Sequence, residues 1–173
     1  MTYTFRNDQP EVFLHIVREV AQWLVDGGQV LWEPGTLTAD NLFDRYTRHN
    51  CYVMYAHQDD AGSTSRSPEP AGAFILQWES PIYYPDLPAN TAGIIHKLAI
   101  RRSFAGQNLF QPILDFCKET CLERGIHEIQ LETDATRPAL MRFYERNGFT
   151  PLYQKQIHEF GQDFRCQYYA MRF

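Results

Sequence analysis

The stretch GIIHKLAIRRSFAGQNLF, running from Gly93 to Phe110, decides how the rest of the chain is read. It begins as an alternation, with Ile94, His96, Leu98 and Ile100 on one face and Ile95, Lys97 and Ala99 on the other, which is the period of a strand. A polar turn containing Gly106 follows, and an apolar run then opens a helix expected over residues 109–124. A strand that ends on a glycine turn and a helix N-terminus offers free amides and the positive end of a helix dipole. Both favour an anion, phosphate above all. Many α/β chains share that arrangement, so it gains weight only from a partner, residues 137–149, which end FYERNGF.

Working outward, Thr2–Arg6 alternates as a first strand, and Asp8 with Glu11 reads as a capping box around Pro10. The helix beyond keeps Phe13, Ile16, Val17, Val20 and Leu24 on one stripe, leaves His15 on the surface and stops at Gly27 and Gly28. Residues 29–37 form a loop carrying Trp32 and Glu33, and Thr38 caps a second helix with Leu42, Phe43 and Tyr46 inward. Cys51–His57 and residues 72–79 pair as strands around a polar tip, residues 58–71, expected to be flexible. Residues 80–91 hold three prolines and the pair Tyr83–Tyr84, a structured loop packed by its own aromatics or bordering a ligand. Residues 128–133 make another strand, Thr136 caps a helix over residues 137–147 that Gly148 stops, and a last hairpin turns at Gly161 between residues 152–159 and 164–172.

At 173 residues the chain suits a single domain, residues 1–173, with a sizeable core fed by 12 Phe, 10 Tyr and 3 Trp. A net charge of −5 argues against nucleic acid and makes a better host for amines. No apolar run reaches about 18 residues and MTYTFRNDQP carries no signal-peptide pattern, so no membrane role and a cytoplasmic location are expected. The 4 cysteines lack metal spacing, and Cys117 and Cys121 read as small core residues on one helix face. No metal is expected.

Residues 98–116, LAIRRSFAGQNLFQPILDF, and 138–149, PALMRFYERNGF, together resemble the GNAT superfamily of acyl-CoA-dependent N-acetyltransferases. The order of elements fits that family from Thr2 to Phe173. The resemblance implies an α/β (α+β) fold, a mixed, mostly antiparallel seven-stranded sheet flanked by four helices. It departs in the pyrophosphate loop, where the usual Arg/Gln-x-x-Gly-x-Gly/Ala positions hold Ala105, Asn108 and Phe110, and only the intervening Gly106 is kept.

By that resemblance acetyl-CoA is the cosubstrate. Leu98, Ala99 and Ile100 pair with its pantetheine arm beside a local bulge. Gly106, Gln107, Asn108, Leu109 and Phe110 cradle the pyrophosphate, with Arg102 and Arg137 supplying charge. Gly106 allows positive φ and Asn108 tolerates it, and Phe110 leaves the amides open if its ring turns into the core. Tyr144 falls where the family keeps a tyrosine that protonates the leaving thiolate; an ordinary phenol pKa of about 10 lies near that of an alkyl thiol. His96 is the candidate base, as in the arylalkylamine branch of the family, with Glu79 as rival and a hydrogen-bonded core histidine as the plain alternative. Trp32, Glu33, Trp78, Tyr83 and Tyr84 offer the mixture of ring faces and carboxylate that suits a small amine, although Trp32 equally fits a gap between helices. The resulting expectation is an N-acetyltransferase acting on a small-molecule amine, as monomer or homodimer. The rivals are a non-catalytic acyl-CoA-binding or regulatory protein and a protein-directed acetyltransferase.

Overall fold

The computed structural model describes residues 1–57, 67–159 and 161–173, so most of the expected polar hairpin tip lies outside the described residues. Seven strands run in the order β1-β2-β3-β4-β5-β7-β6: β1 Thr2–Arg6, β2 Cys51–His57, β3 Glu69–Gln77, β4 Gly93–Ile100, β5 Glu128–Asp134, β6 Thr150–Glu159 and β7 Gln162–Arg172. Four helices accompany them, α1 Pro10–Asp26, α2 Ala39–Phe43, α3 Phe110–Leu122 and α4 Pro138–Arg146. Pairing is mostly antiparallel, and β4 runs parallel to β5 where Gly93–Ile95 face Ile129–Leu131. Among the described residues, no helix is long and apolar enough to cross a membrane.

The chain resolves into two compact units, Met1–Ile75 with Lys97–Asp115, and Leu76–His96 with Phe116–Phe173. In the first, α1 buries Phe13, Ile16, Val17 and Ala21 against Val53, Ala73 and Ile75. Each fully buried large side chain there contributes roughly 1.5–3 kcal/mol. In the second, Tyr83, Tyr84, Ile94, Ile157 and Tyr168 form the core, with Leu87 and Phe164 packed on it. Cys117 and Cys121 are fully buried on α3. A Cβ on Gly93 would sit 2.5 Å from Cys121 Sγ, so only glycine lets β4 pass beneath the helix at that point.

Three helices end alike. Gly28, Gly125 and Gly148 take φ of 73°, 70° and 89°, and the next amide in each case reaches back to the carbonyl of Leu24, Cys121 or Tyr144 at 2.7, 2.9 and 3.1 Å. This is the Schellman arrangement, which needs a left-handed residue after the cap.

Helix starts follow expectation at α2, where Asn41 N donates to Thr38 Oγ1 at 3.2 Å. They depart from it twice. The helix α1 begins at Pro10 with Gln9 as its cap and no side-chain cap bond, so the Asp8–Glu11 box does not form; the Tyr55 hydroxyl binds the Gln9 side chain instead. The helix α4 begins at Pro138 with Arg137 as cap, while the Thr136 amide and hydroxyl both bind Asp134 Oδ1, at 2.8 and 2.7 Å. One cause serves for both: proline has no N–H and a helical φ already set, so it takes the first helical position and moves the cap to the residue before it.

The expected alternation of β4 also fails at one residue. Lys97 takes φ 49° and is buried, which interrupts the two-residue repeat between His96 and Leu98. Lesser differences concern boundaries, since β3 begins at Glu69 and the last hairpin extends to residues 150 and 172.

Candidate active site

In the first unit, β4 delivers Leu98, Ala99 and Ile100 to a short turn, Arg102–Phe104, and then to the residues ahead of α3. Phe104 is buried and anchors the turn. Gly106 and Asn108 take φ of 80° and 55°, left-handed conformations on either side of Gln107. All three residues are exposed. Among the described residues, the amides of Gly106, Asn108 and Leu109 donate to no protein group. Leu109 and Phe110 are buried, the Phe110 ring at 2 % exposure, so no aromatic ring stands over the loop at position 110. Arg101 is engaged elsewhere, its Nε 3.0 Å from Glu19 Oε1 and its Nη1 3.2 Å from the Pro70 carbonyl. Arg102 is exposed, its guanidinium 4.9 Å from the Trp23 ring centroid. Trp32 packs against the core of this unit with the Lys97 ammonium 5.7 Å from its ring, and Glu33 is exposed.

The second unit holds a buried acid–base cluster. His96 Nδ1 lies 2.7 Å from Glu132 Oε1, with side-chain exposures of 1 % and 10 %. The rings of Tyr83 and Tyr84 flank the imidazole at 5.2 and 6.1 Å. Tyr83 donates to Glu159 Oε2 at 2.5 Å, and Tyr168 donates to the Tyr83 carbonyl at 2.8 Å while its ring meets that of Tyr84 edge-on at 5.0 Å. Residues 80–91 are therefore pinned down by hydrogen bonds as well as ring contacts. Burial and the nearby Glu132 charge push the phenols of Tyr84, Tyr144 and Tyr168 above their ordinary range.

Tyr144 is held by the end of its own helix. The Phe149 amide caps the Tyr144 carbonyl, and the two rings meet edge-on at 6.0 Å. The ending FYERNGF thus has a local reason: asparagine closes the helix, glycine supplies the left-handed turn and phenylalanine packs back on the tyrosine. The raised phenol corrects one expectation, because Tyr144 stays protonated but yields its proton less readily than an exposed tyrosine.

Of the remaining candidates, Trp78 lies beneath Arg124, whose guanidinium is 4.1 Å from a ring centroid, and next to Gly93. Glu79 is exposed. Arg137 is half-buried, its Nε 3.2 Å from Asp134 Oδ2. The structure brings together His96, Tyr83 and Tyr84, and adds Glu132, Glu159 and Tyr168, which sequence reasoning missed. In EIQLETD the residues Glu128, Gln130 and Glu132 occupy the polar face of an alternating strand, a pattern that reads as solvent-facing. A histidine on the preceding strand, β4, and an acidic residue on that face of β5 were the available signals.

A mixed seven-stranded sheet, a left-handed amide loop leading into a helix, and a tyrosine clamped at a helix end define an acyl-CoA-dependent transferase fold. The profile of the acetyltransferase (GNAT) family matches residues 17–149, and the chain belongs to that family. An uncharacterized N-acetyltransferase of Bacillus subtilis, YesJ, is 26 % identical over 150 residues, 82 % of this chain and 77 % of its own length. A GNAT-family acetyltransferase of Listeria monocytogenes superposes with a TM-score of 0.70 at 18 % identity, over 99 % of this chain and 95 % of that one. The PaiA N-acetyltransferase of Thermoplasma acidophilum, solved with coenzyme A, gives a TM-score of 0.63 at 16 % identity, with both chains covered in full, 100 % each.

Acetyl-CoA is the cosubstrate of the family. The loop ahead of α3 fits its pyrophosphate: the amides of Gly106, Asn108 and Leu109, set by two left-handed residues and donating to no protein group among the described residues, make an anion-binding concavity. A Cβ on Gly106 would meet nothing within 4 Å, so this glycine is required by its φ and not by crowding.

Proposed function

We propose that the protein transfers the acetyl group of acetyl-CoA to the primary amine of a small molecule. The observation that carries this reading is the enclosed acid–base cluster, in which His96 bound to Glu132 is walled by the rings of Tyr83 and Tyr84. Aromatic walls around a buried base suit a compact acceptor with an apolar body; a polypeptide acceptor calls for an open groove. The amides of Gly106, Asn108 and Leu109 bind the pyrophosphate, and the backbone of Leu98–Ile100 binds the pantetheine arm. When bound, acetyl-CoA supplies the activated thioester.

The chain's own residues have two proton tasks. His96 takes the proton that the amine must lose, so that the nitrogen lone pair can form the new C–N bond as the C–S bond breaks. Tyr144 donates a hydrogen bond to the departing sulfur, which strengthens as negative charge builds there and ends in proton transfer. One proton is taken and one given, and exchange with solvent restores both groups. Glu79, being exposed, is the weaker candidate for the base.

Titration calorimetry with acetyl-CoA, followed by mass-spectrometric detection of acetylated product over a panel of arylalkyl amines, polyamines and peptide N-termini, tests the reading. Micromolar cofactor affinity with turnover on a small amine is expected. Acetylation confined to peptides would replace the small-molecule acceptor with a protein one, and no binding at millimolar acetyl-CoA would end the enzyme reading.

A further inference from the structure

Glu132 is half-buried on β5 with its side chain 10 % exposed, yet its carboxylate is not consumed by structure. Its Oε1 meets His96 Nδ1, while Oε2 accepts no well-formed hydrogen bond among the described residues; the neighbouring Tyr84 hydroxyl feels the carboxylate without making one. A carboxylate held only for stability is normally bonded at both oxygens, and a native exception asks for a reason. An ionised carboxylate can only accept, so the contact at Oε1 requires the proton on Nδ1 and leaves the Nε2 lone pair as the basic site. We propose that Glu132 is the positioning residue of this cluster: it holds the His96 imidazole in the tautomer and orientation whose Nε2 accepts the amine proton.

The surroundings support that assignment. The carboxylate is placed by the sheet, since Glu132 pairs with Tyr168 in the β5–β7 ladder, and Tyr168 in turn braces Tyr84. Groups that face the imidazole include Tyr83 and Tyr84 from the loop over residues 80–91 and Glu132 from β5, with Tyr168 of β7 behind Tyr84. Both ring contacts hinder rotation of the imidazole, and the carboxylate selects which way it faces. A fixed negative charge beside Nδ1 stabilises the imidazolium formed when Nε2 takes a proton. Burial first, and the same charge second, raise the Tyr144 phenol.

This inference rests on the acetyltransfer reading, and its test separates the two. Long-range proton–nitrogen correlation on the ring nitrogens of uniformly labelled protein, with His96→Gln to assign the signal, reports the His96 tautomer without any substrate. The unaltered protein should show a single Nδ1–H form. Glu132→Ala should mix the tautomers and lower kcat about a hundredfold, with the KM for acetyl-CoA unchanged. Glu132→Gln can still accept from Nδ1–H; it should keep the tautomer and lower kcat about tenfold, through loss of charge alone. A single Nδ1–H form surviving in Glu132→Ala, or wild-type kcat in either variant, would overturn the proposal. Should Glu132→Ala not fold, a mixed tautomer in Glu132→Gln overturns it equally. A protein inert with every amine would defeat the acetyltransfer reading while the tautomer still decides what Glu132 does to His96.

Discussion

In the loop between β4 and α3 the groups offered to a ligand are backbone amides, whereas around His96 they are side chains. The loop has lost the family's residues at Ala105, Asn108 and Phe110 and still places Gly106 and Asn108 at positive φ. Its chemistry survives substitution because an amide is the same in every residue, and only the conformation must be kept. The cluster has no such latitude. Replacing Glu132, His96 or Tyr144 removes the group itself, and the buried partner left behind loses its hydrogen bond or its charge. Divergence in the loop is therefore a poor guide to lost function, and divergence in the cluster would be a good one.

Four substitutions can break or sharpen that contrast. The largest effect belongs to Phe110→Ala, which should destabilise the fold by about 3–5 kcal/mol in urea denaturation, as expected for emptying a site 2 % exposed. Cofactor affinity of the folded protein should hold. Intact stability with much tighter binding would show the ring to be a block over the loop. Next comes Gly106→Val, where a β-branched residue forced to φ 80° costs about 2 kcal/mol and should weaken acetyl-CoA binding some tenfold or more by calorimetry. Unchanged affinity would mean that the loop does not hold the pyrophosphate.

Tyr144→Phe probes the other side of the comparison, with an expected fall in kcat of about tenfold, near 1.4 kcal/mol, at unchanged cofactor affinity. Full turnover in the variant would remove the phenol from the mechanism. The smallest effect is expected of Asn108→Gly, which restores a family glycine. Affinity should stay within about twofold and stability within about 1 kcal/mol, because asparagine already tolerates the left-handed region. A tenfold gain in affinity would show that the Asn108 side chain, and not the backbone alone, governs the loop.

Much of this was legible from residue types. Glycines 28, 125 and 148 mark helix ends because only they relieve the left-handed turn, and Phe110 lies on the same apolar stripe as Ile113, Leu114 and Cys117. The failures have equally definite causes. Caps were placed on Asp8 and Thr136 because their side chains favour that role, but Pro10 and Pro138 outrank them in deciding where a helix begins. Nothing about a lysine announces a positive φ, so the left-handed residue at Lys97 could not be read from the alternation of β4. Glu132 was overlooked because periodicity sorts residues onto two faces without saying that the polar face of β5 is also covered. Gln130, buried beside it and bonded to Glu128 at 2.6 Å, shows the same thing.

The four cysteines, Cys51, Cys117, Cys121 and Cys166, are all buried as free thiols. Burial pushes the Cys51 thiol up to about 12 and Cys121 up to about 11, and raises Cys117 as well. All four thiols are buried, so the folded protein is expected to react slowly with thiol-reactive dyes. Free coenzyme A has no such cover. A dye that exchanges with thiols would thus count turnovers in real time against almost no background from the catalyst. The same reagent, added without substrate under rising denaturant, would count molecules that have opened, so one colour change serves as both an activity meter and an unfolding clock.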